Sequence, residues 1–416
     1  MTAKRTTHGR FDRFRSESGV SLIHVGMLMF VFMGLSMFVV DYGVVWLARV
    51  QAQNAADAGA LAGAVARGFD ELADPPAANG ASFQSAFAAA RAHGIFGELP
   101  TPTVSFACPA FAPAGVRCTR VDVFRDGINN GSSTLPTYFA AAFGNNSQII
   151  KATATAWSAN GNSTSCMRPW AVADKWRDDV APATEYNHWV KVGNTVTELT
   201  PHDTYVPPPP GNVTPVPYYT GWRLPDDIGT RVTLKIGQAG DRIEPGWFMA
   251  VDLPDGNGGY PQGGNEYRDN IGTCVGVRVG LGDKLPTETG NMVGPTQQGV
   301  ADLVALDPRA TWNDTTHQID GSCAPATCGD VSPRIVPIVV FDTDDFQRRD
   351  LANDWAGYCP TGGGCVNVVN YFGFFVEGMN GRDVTGIILT TPSEFDSGKG
   401  TVPTSASFGV VIQLIQ

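Results

Sequence analysis

Lysine is almost missing from this chain, at seven residues in 416, and the formal net charge is −11. That shortage of positive charge argues against nucleic acid as a partner, because neutralising phosphates requires a basic surface. Internal repeats are missing too. No period of about 20 to 50 residues recurs, which argues against a solenoid or a propeller. Catalytic signatures are equally absent: no Gly-x-Ser-x-Gly elbow, no His-Glu-x-x-His, no phosphate-binding loop and no Gly-x-Gly-x-x-Gly opening a helix after a strand. Histidine is sparse, with six residues, and His8 and His24 lie before or inside the longest apolar run. Glu185 and His188 in "TEYNHW" could share a face, but one such pair is more often packing than a site. The expectation is therefore no catalytic residue, no cofactor, no metal and no enzyme. Separated carboxylate pairs leave no local signature, so a membrane-tethered periplasmic hydrolase, or a carbohydrate-binding module, stands as the alternative.

What the chain does contain begins with a basic tail, residues 1–19, carrying Lys4, Arg5, Arg10, Arg13 and Arg15 against Asp12 and Glu17. Residues 20–40 then hold no formal charge. A helix of that length spans about 30 Å, one hydrocarbon thickness. The positive-inside rule keeps the tail cytoplasmic and exports everything after Asp41. Tyr42 and Trp46 suit the far headgroup layer. A cleavable signal peptide would have a shorter apolar core followed by an open cleavage loop; here a helical pattern follows instead.

That pattern continues without proline to Ala66. Val44, Leu47, Ala48, Ala55, Ala58, Leu61, Ala62 and Val65 recur at spacings of three and four, forming one face of a helix. The helix is expected from about residue 18 to 66, on the order of 70 Å, and ends at Gly68 and the Asp74-Pro75-Pro76 turn. Ala52, Ala56, Ala60 and Ala64 recur every fourth residue, as do Ala55, Gly59 and Gly63. Such small residues admit a second backbone closely. Two occupants fit: the chain's own globular part, or another helix from a partner or a second copy.

The stretch "VVDYGVVWLARVQAQNAADAGALAGA" resembles the N-terminal segment of TadE/TadG-like proteins of the tight-adherence (Flp) pilus. The positions that carry the resemblance are Gly19, Asp41, Gly43, Gln53, Ala56, Asp57, Ala58, Ala60, Leu61 and Ala62. "CMRPWAVADKW" and "TETGNMVGPTQQG" look like segments of the longer members. The resemblance implies a structural or assembly protein of such a pilus or a related secretion system. It would sit in the bacterial inner membrane as a single-pass protein, with its later domains periplasmic or extracellular. Its expected partners are the lipid bilayer and other pilus-assembly proteins, or copies of itself, met through an assembly helix bearing Asp41, Gly43, Gln53, Asp57, Gly59 and Gly63. Pilin-like relatives are cut after a glycine that has Glu five residues beyond it. Counting from Gly19 gives His24, so the basic tail is expected to be retained.

The fold class expected is α+β. Residues 20–66 form the transmembrane helix and its extension, and 67–157 a small α+β, pilin-like head. A linker at 158–165 leads to a mainly β, disulfide-braced domain over 166–416. In the head, 81–93 reads as an amphipathic helix, 103–107, 120–124 and 147–157 as strands, and 135–143 as another helix. Beyond the linker, strands are expected at 231–236, 276–281, 334–341, 366–376 and 384–390, with 408–415 closing that sheet and 296–306 the only helix of note. The proline-rich 206–217 reads as an extended loop.

Eight cysteines in an exported chain suggest disulfides. Sequence proximity favours Cys108 with Cys118, Cys323 with Cys328 and Cys359 with Cys365, leaving Cys166 for Cys274. A zinc site from the 323/328 and 359/365 pairs is the rival, with looser spacing than most zinc knuckles. Asp342, Asp344 and Asp345 in "FDTDD", and Asp252, Asp255 and Asn257 in "DLPDGNGG", could offer oxygens to calcium, but neither follows the EF-hand spacing.

Overall fold

The computed structural model describes residues 18–113, 115–181, 185–209, 218–238, 240–324, 326–329, 331–400 and 406–415. The basic tail before Ser18 and the proline-rich stretch from 210 to 217 lie outside these residues.

One helix, α1 (Ser18–Phe69), runs 52 residues without a break, about 78 Å at the helical rise. Its last turn closes when Asp70 and Glu71 donate their amides to the Ala66 carbonyl at 2.9 and 2.8 Å. A short second helix, α2 (Ala81–Ala92), lies back along α1 and buries Ser82, Ala86 and Ala90 against it. The Glu71 carboxylate accepts the amides of Ala77 and Ser82 at the start of α2, where an anion is favoured.

The first sheet begins with β1 (Thr103–Ser105), β2 (Arg117–Arg125) and β3 (Ile150–Asn160), all antiparallel. Along β3, Ile150, Ala152, Ala154 and Ala156 point one way and are buried, whereas Lys151 points outward and is exposed. That alternation is the period of two of a sheet with one covered face; α1 and α2 are the cover. The expected helix over 135–143 is instead the short strand Leu135–Pro136 and a 3-10 turn at Ala140–Phe143.

The chain then builds a second sheet from β4 (Trp170–Ala173), β5 (Arg231–Gly237), β6 (Trp247–Ala250), β7 (Lys284–Pro286), β8 (Ile335–Phe341), β9 (Cys365–Asn380) and β10 (Asp383–Leu389). Their order is β7-β9-β8-β4-β6-β5-β10, and β10 also pairs with β9. The last pairing closes six strands into a ring, with β7 on the outer flank of β9. A closed sheet has no free edges to manage. Every strand of the ring contributes to one apolar cluster, including Trp170, Leu234, Phe248, Ile338, Phe372 and Ile388. Helices α3 (Gly264–Gly272) and α4 (Val293–Ala305) add Tyr267, Ile271, Val300 and Leu303 to it. Alternate residues such as Trp247, Met249 and Phe341 form a second cluster with Phe346 of α5 (Thr343–Ala352). Among the described residues three helices thus accompany this region, not the one expected near 296–306.

One expectation about connections fails. Strands β11 (Thr391–Pro392) and β12 (Gly409–Ile415) return to the first sheet, whose order is β1-β2-β3-β12-β11. The last strand therefore does not close the second sheet; Val410 to Ile415 pair antiparallel with Asn160 to Thr155 of β3. The expected linker is ordered for the same reason. Ser158 and Asn160 belong to β3, Asn162 and Ser163 are buried, and both of the latter amides donate to the Glu394 carbonyl. Outgoing and returning chains cross side by side, so this short polar stretch is part of a junction.

All four cysteine pairings take the favoured form: Cys108–Cys118, Cys166–Cys274, Cys323–Cys328 and Cys359–Cys365. The zinc reading of these cysteines is thereby removed, since each sulfur is spent in a disulfide.

Candidate functional site

The functional region legible in the structure is α1 and its seat. Over residues 22–36 and 38–40 the large apolar side chains are exposed; Leu22 is 75% exposed and Phe30 72%. Exposed apolar side chains all round a helix are what a hydrocarbon surround accommodates. This is one helix long and apolar enough to cross a membrane.

Asp41 ends that stretch. Its carboxylate accepts the amides of Tyr138 at 2.9 Å, Phe139 at 3.1 Å and Ala140 at 2.6 Å. An acidic side chain at the mouth of the apolar run thus holds the head's 138–140 loop against the helix. Sequence reasoning saw a bilayer exit there and missed the loop, which no local pattern announces. Tyr42 stacks on Phe38 with ring centres 5.6 Å apart, and Trp46 remains 60% exposed, a position suited to headgroups.

Above Trp46 the helix changes character. Ala48, Ala52, Ala55, Ala56, Ala60 and Ala64 are buried under β2, β3 and α2. A Cβ at Gly59 would lie 2.8 Å from the Ala90 methyl, and one at Gly63 would lie 2.5 Å from Cγ2 of Thr119 and 2.9 Å from the Ala86 methyl. Of the two occupants that the small-residue face allowed, the chain's own head takes the place. Gly43, by contrast, has nothing near it. Gln53 donates to Asp57 at 2.7 Å and to the Thr153 carbonyl of β3 at 3.3 Å, while Gln51 accepts the Phe96 amide at 2.8 Å. The polar residues of the motif therefore stitch the helix to its head.

Residues 21–66 match the family model for TadE/G-like Flp pilus assembly (Tad). The match begins where the apolar run begins and ends one turn before α1 does. No curated protein and no solved structure matches the chain. The Tad-like segment is thus both the exposed apolar part of α1 and the part clamped by the head.

The other candidate residues do not converge. Asp342 caps α5 by accepting the Asp345 amide at 2.9 Å, and burial raises its carboxyl to about 6. Asp344 accepts from Tyr186 and Trp189, and Asp345 pairs with Arg348 and Arg349. The three oxygens offered to calcium thus have three separate sets of protein partners. Asp255 folds back onto the amides of Asn257 and Gly259. Asp252 is buried elsewhere, accepting from Gln262, and burial with Glu288 alongside raises it to about 8. Glu185 pairs with Arg242 at 2.6 Å, while His188 turns to Asp344; the two do not act together.

Proposed function

We propose that this protein is a membrane-anchored structural or assembly component of a tight-adherence (Flp-type) pilus or a related secretion system, acting by binding and not by catalysis. The observation that carries the proposal is the coincidence of the Tad-like match with a single unbroken helix, bare below Asp41 and clamped above it. Such a rod transmits position: the head cannot tilt relative to the bilayer without breaking its seat. In this reading the helix crosses the bacterial inner membrane with the basic tail in the cytoplasm, and both sheets stand on the far side. The ring-shaped β region is the recognition surface, held away from the lipid. Assembly partners meet α1 on the face that the head leaves open, where Trp46, Val50, Leu61 and Val65 are exposed, because the glycine face is already filled.

The test is genetic and quantitative. A strain lacking the protein should lose surface fibres and tight adhesion, and the full chain should restore both. The variant carrying W46A, V50A, L61A and V65A should reach the membrane in normal amount yet restore poorly. Fibres and adhesion that persist in the strain lacking the protein would end the proposal.

A further inference from the structure

We infer that His188, Glu198 and His202 form a binding site for a zinc-class divalent metal ion. The three lie at the two ends of a hairpin, Trp189–Val192 paired with Thr195–Glu198. Glu198 Oε1 is 3.4 Å from Nε2 of His188 and 3.0 Å from Nε2 of His202, and all three potential ligand atoms lie within 4.8 Å of one another. Tetrahedral zinc with bonds near 2.0–2.1 Å sets neighbouring ligand atoms about 3.3 Å apart, so the two observed separations bracket that value.

The hydrogen bonds behind the rings decide what the facing nitrogens can do. Nδ1 of His188 lies 2.5 Å from Asp344 Oδ1, and the same oxygen accepts from the Tyr186 hydroxyl and the Trp189 indole, each at 2.8 Å. Nδ1 of His202 lies 2.8 Å from the Asp203 carbonyl. Nδ1 of His188 also lies 3.0 Å from the Tyr186 hydroxyl; with that hydroxyl donating to Asp344, each Nδ1 faces an acceptor oxygen, and a ring that keeps its single proton there presents an Nε2 lone pair on the side of Glu198. Two ring nitrogens and a carboxylate oxygen then lie within 4.8 Å of one another, three acceptors on one small patch. A cation between them relieves that repulsion. A carboxylate or a carbonyl behind each imidazole is also the arrangement that orients metal-binding histidines.

The scaffold is fixed independently of any ion. Asp203 is fully buried and accepts the amides of Asp179, Val180 and Asn187. The Leu199 amide bonds the His188 carbonyl at 2.8 Å, and the Trp189 amide bonds Gln347 of α5 at 2.9 Å. The rings of His188 and His202 stack with centres 4.2 Å apart, and Glu198 remains half exposed, giving the ion a path from solvent. Two histidines and one glutamate leave a fourth position open, available to water or to a partner's side chain.

The full chain, purified in detergent with its disulfides intact and stripped with a chelator, should retain one equivalent of zinc on dialysis against micromolar zinc. Cobalt(II) should give the visible absorption of a tetrahedral site. E198Q, nearly isosteric and at a half-exposed position, should weaken zinc binding at least 100-fold with unchanged circular dichroism, as should H202N. D344N removes only the support behind His188 and should weaken binding about 10- to 100-fold. Failure of the unaltered chain to retain zinc would mean that a proton alone bridges the cluster, and would overturn the inference. Retention of the full equivalent by folded E198Q/H202N protein would overturn it as well.

Discussion

The two halves of this molecule are packed by opposite means. Around α1 the buried residues are mostly alanine, and at Gly59 and Gly63 the neighbours approach until no added methyl fits. Around the β ring the interior holds Trp170, Phe248, Phe372 and Phe374, all fully buried. Small residues give little apolar area each, so the first half gains by close fit over a long contact. Large residues gain by area, and tolerate separation between backbones. The difference suits the two tasks proposed for them. A rod that must hold one angle to the bilayer benefits from contact along its length, whereas a recognition body needs a firm interior under a variable surface.

The comparison can be attacked from each side. Truncating Phe372, which meets Trp222 and Phe408 edge-on, should cost the ring about 4 kcal/mol. Chemical unfolding in detergent, followed by tryptophan fluorescence, would measure it. A cost below about 1 kcal/mol would mean that the aromatic interior is not what holds the ring. Gly63→Leu should cost about 3 kcal/mol through overpacking against Thr119 and Ala86, read as early protease cleavage of the head. Gly43→Leu, in open space, is the matched control and should change stability by under about 0.5 kcal/mol. Equal effects at Gly43 and Gly63 would refute the seat.

Much of the first half was legible because its signals are local. An apolar run, an acidic exit and a four-residue rhythm of small side chains each fall within one helix. Cysteine pairing was legible for a similar reason, three pairs being near in sequence and the fourth fixed by remainder. What escaped depends on residues far apart. Nothing between 158 and 165 says that Asn162 and Ser163 will bond a carbonyl at Glu394, and nothing in 408–415 says which of two sheets it will join. A strand of alternating apolar residues fits any half-covered sheet, and the choice is made by the partner edge. The grouping of His188, Glu198 and His202 was hidden too, although all three lie within fifteen residues. The spacing became informative only once the hairpin had brought its ends together.

Charge sharpens the contrast further. In the head, Glu98 and Asp122 meet burial that pushes them up, but hydrogen bonds and nearby cations outweigh it and hold both below the usual carboxylate range. In the second half, burial raises Asp342 to about 6, Asp174 to about 7 and Asp252 to about 8. These three keep a proton in the fold that the unfolded chain loses near its ordinary value of 3.8. Their contribution is therefore complete below about pH 4 and is lost as pH rises through about 6 to 8. The ring should be more stable at pH 5 than at pH 8, and Asp252→Asn should flatten that slope. A denaturant midpoint for the ring that rises from pH 5 to pH 8 would contradict the assignment.

The smallest effect tests the joint between helix and head. Asp41→Ala removes the acceptor shared by the Tyr138, Phe139 and Ala140 amides, yet that loop is open to water, which can take over part of the bonding. The expected cost is about 1 kcal/mol, too little to unfold the head. It should be visible as roughly fivefold faster hydrogen exchange at those three amides, with the Ala86 and Ala90 amides of α2 unchanged. If exchange quickens equally in α2, the seat above depends on the clamp at the bilayer, and the helix and head behave as one unit. If no amide responds, the loop is held by the rest of the head alone, and the acidic residue serves only to mark where the lipid ends.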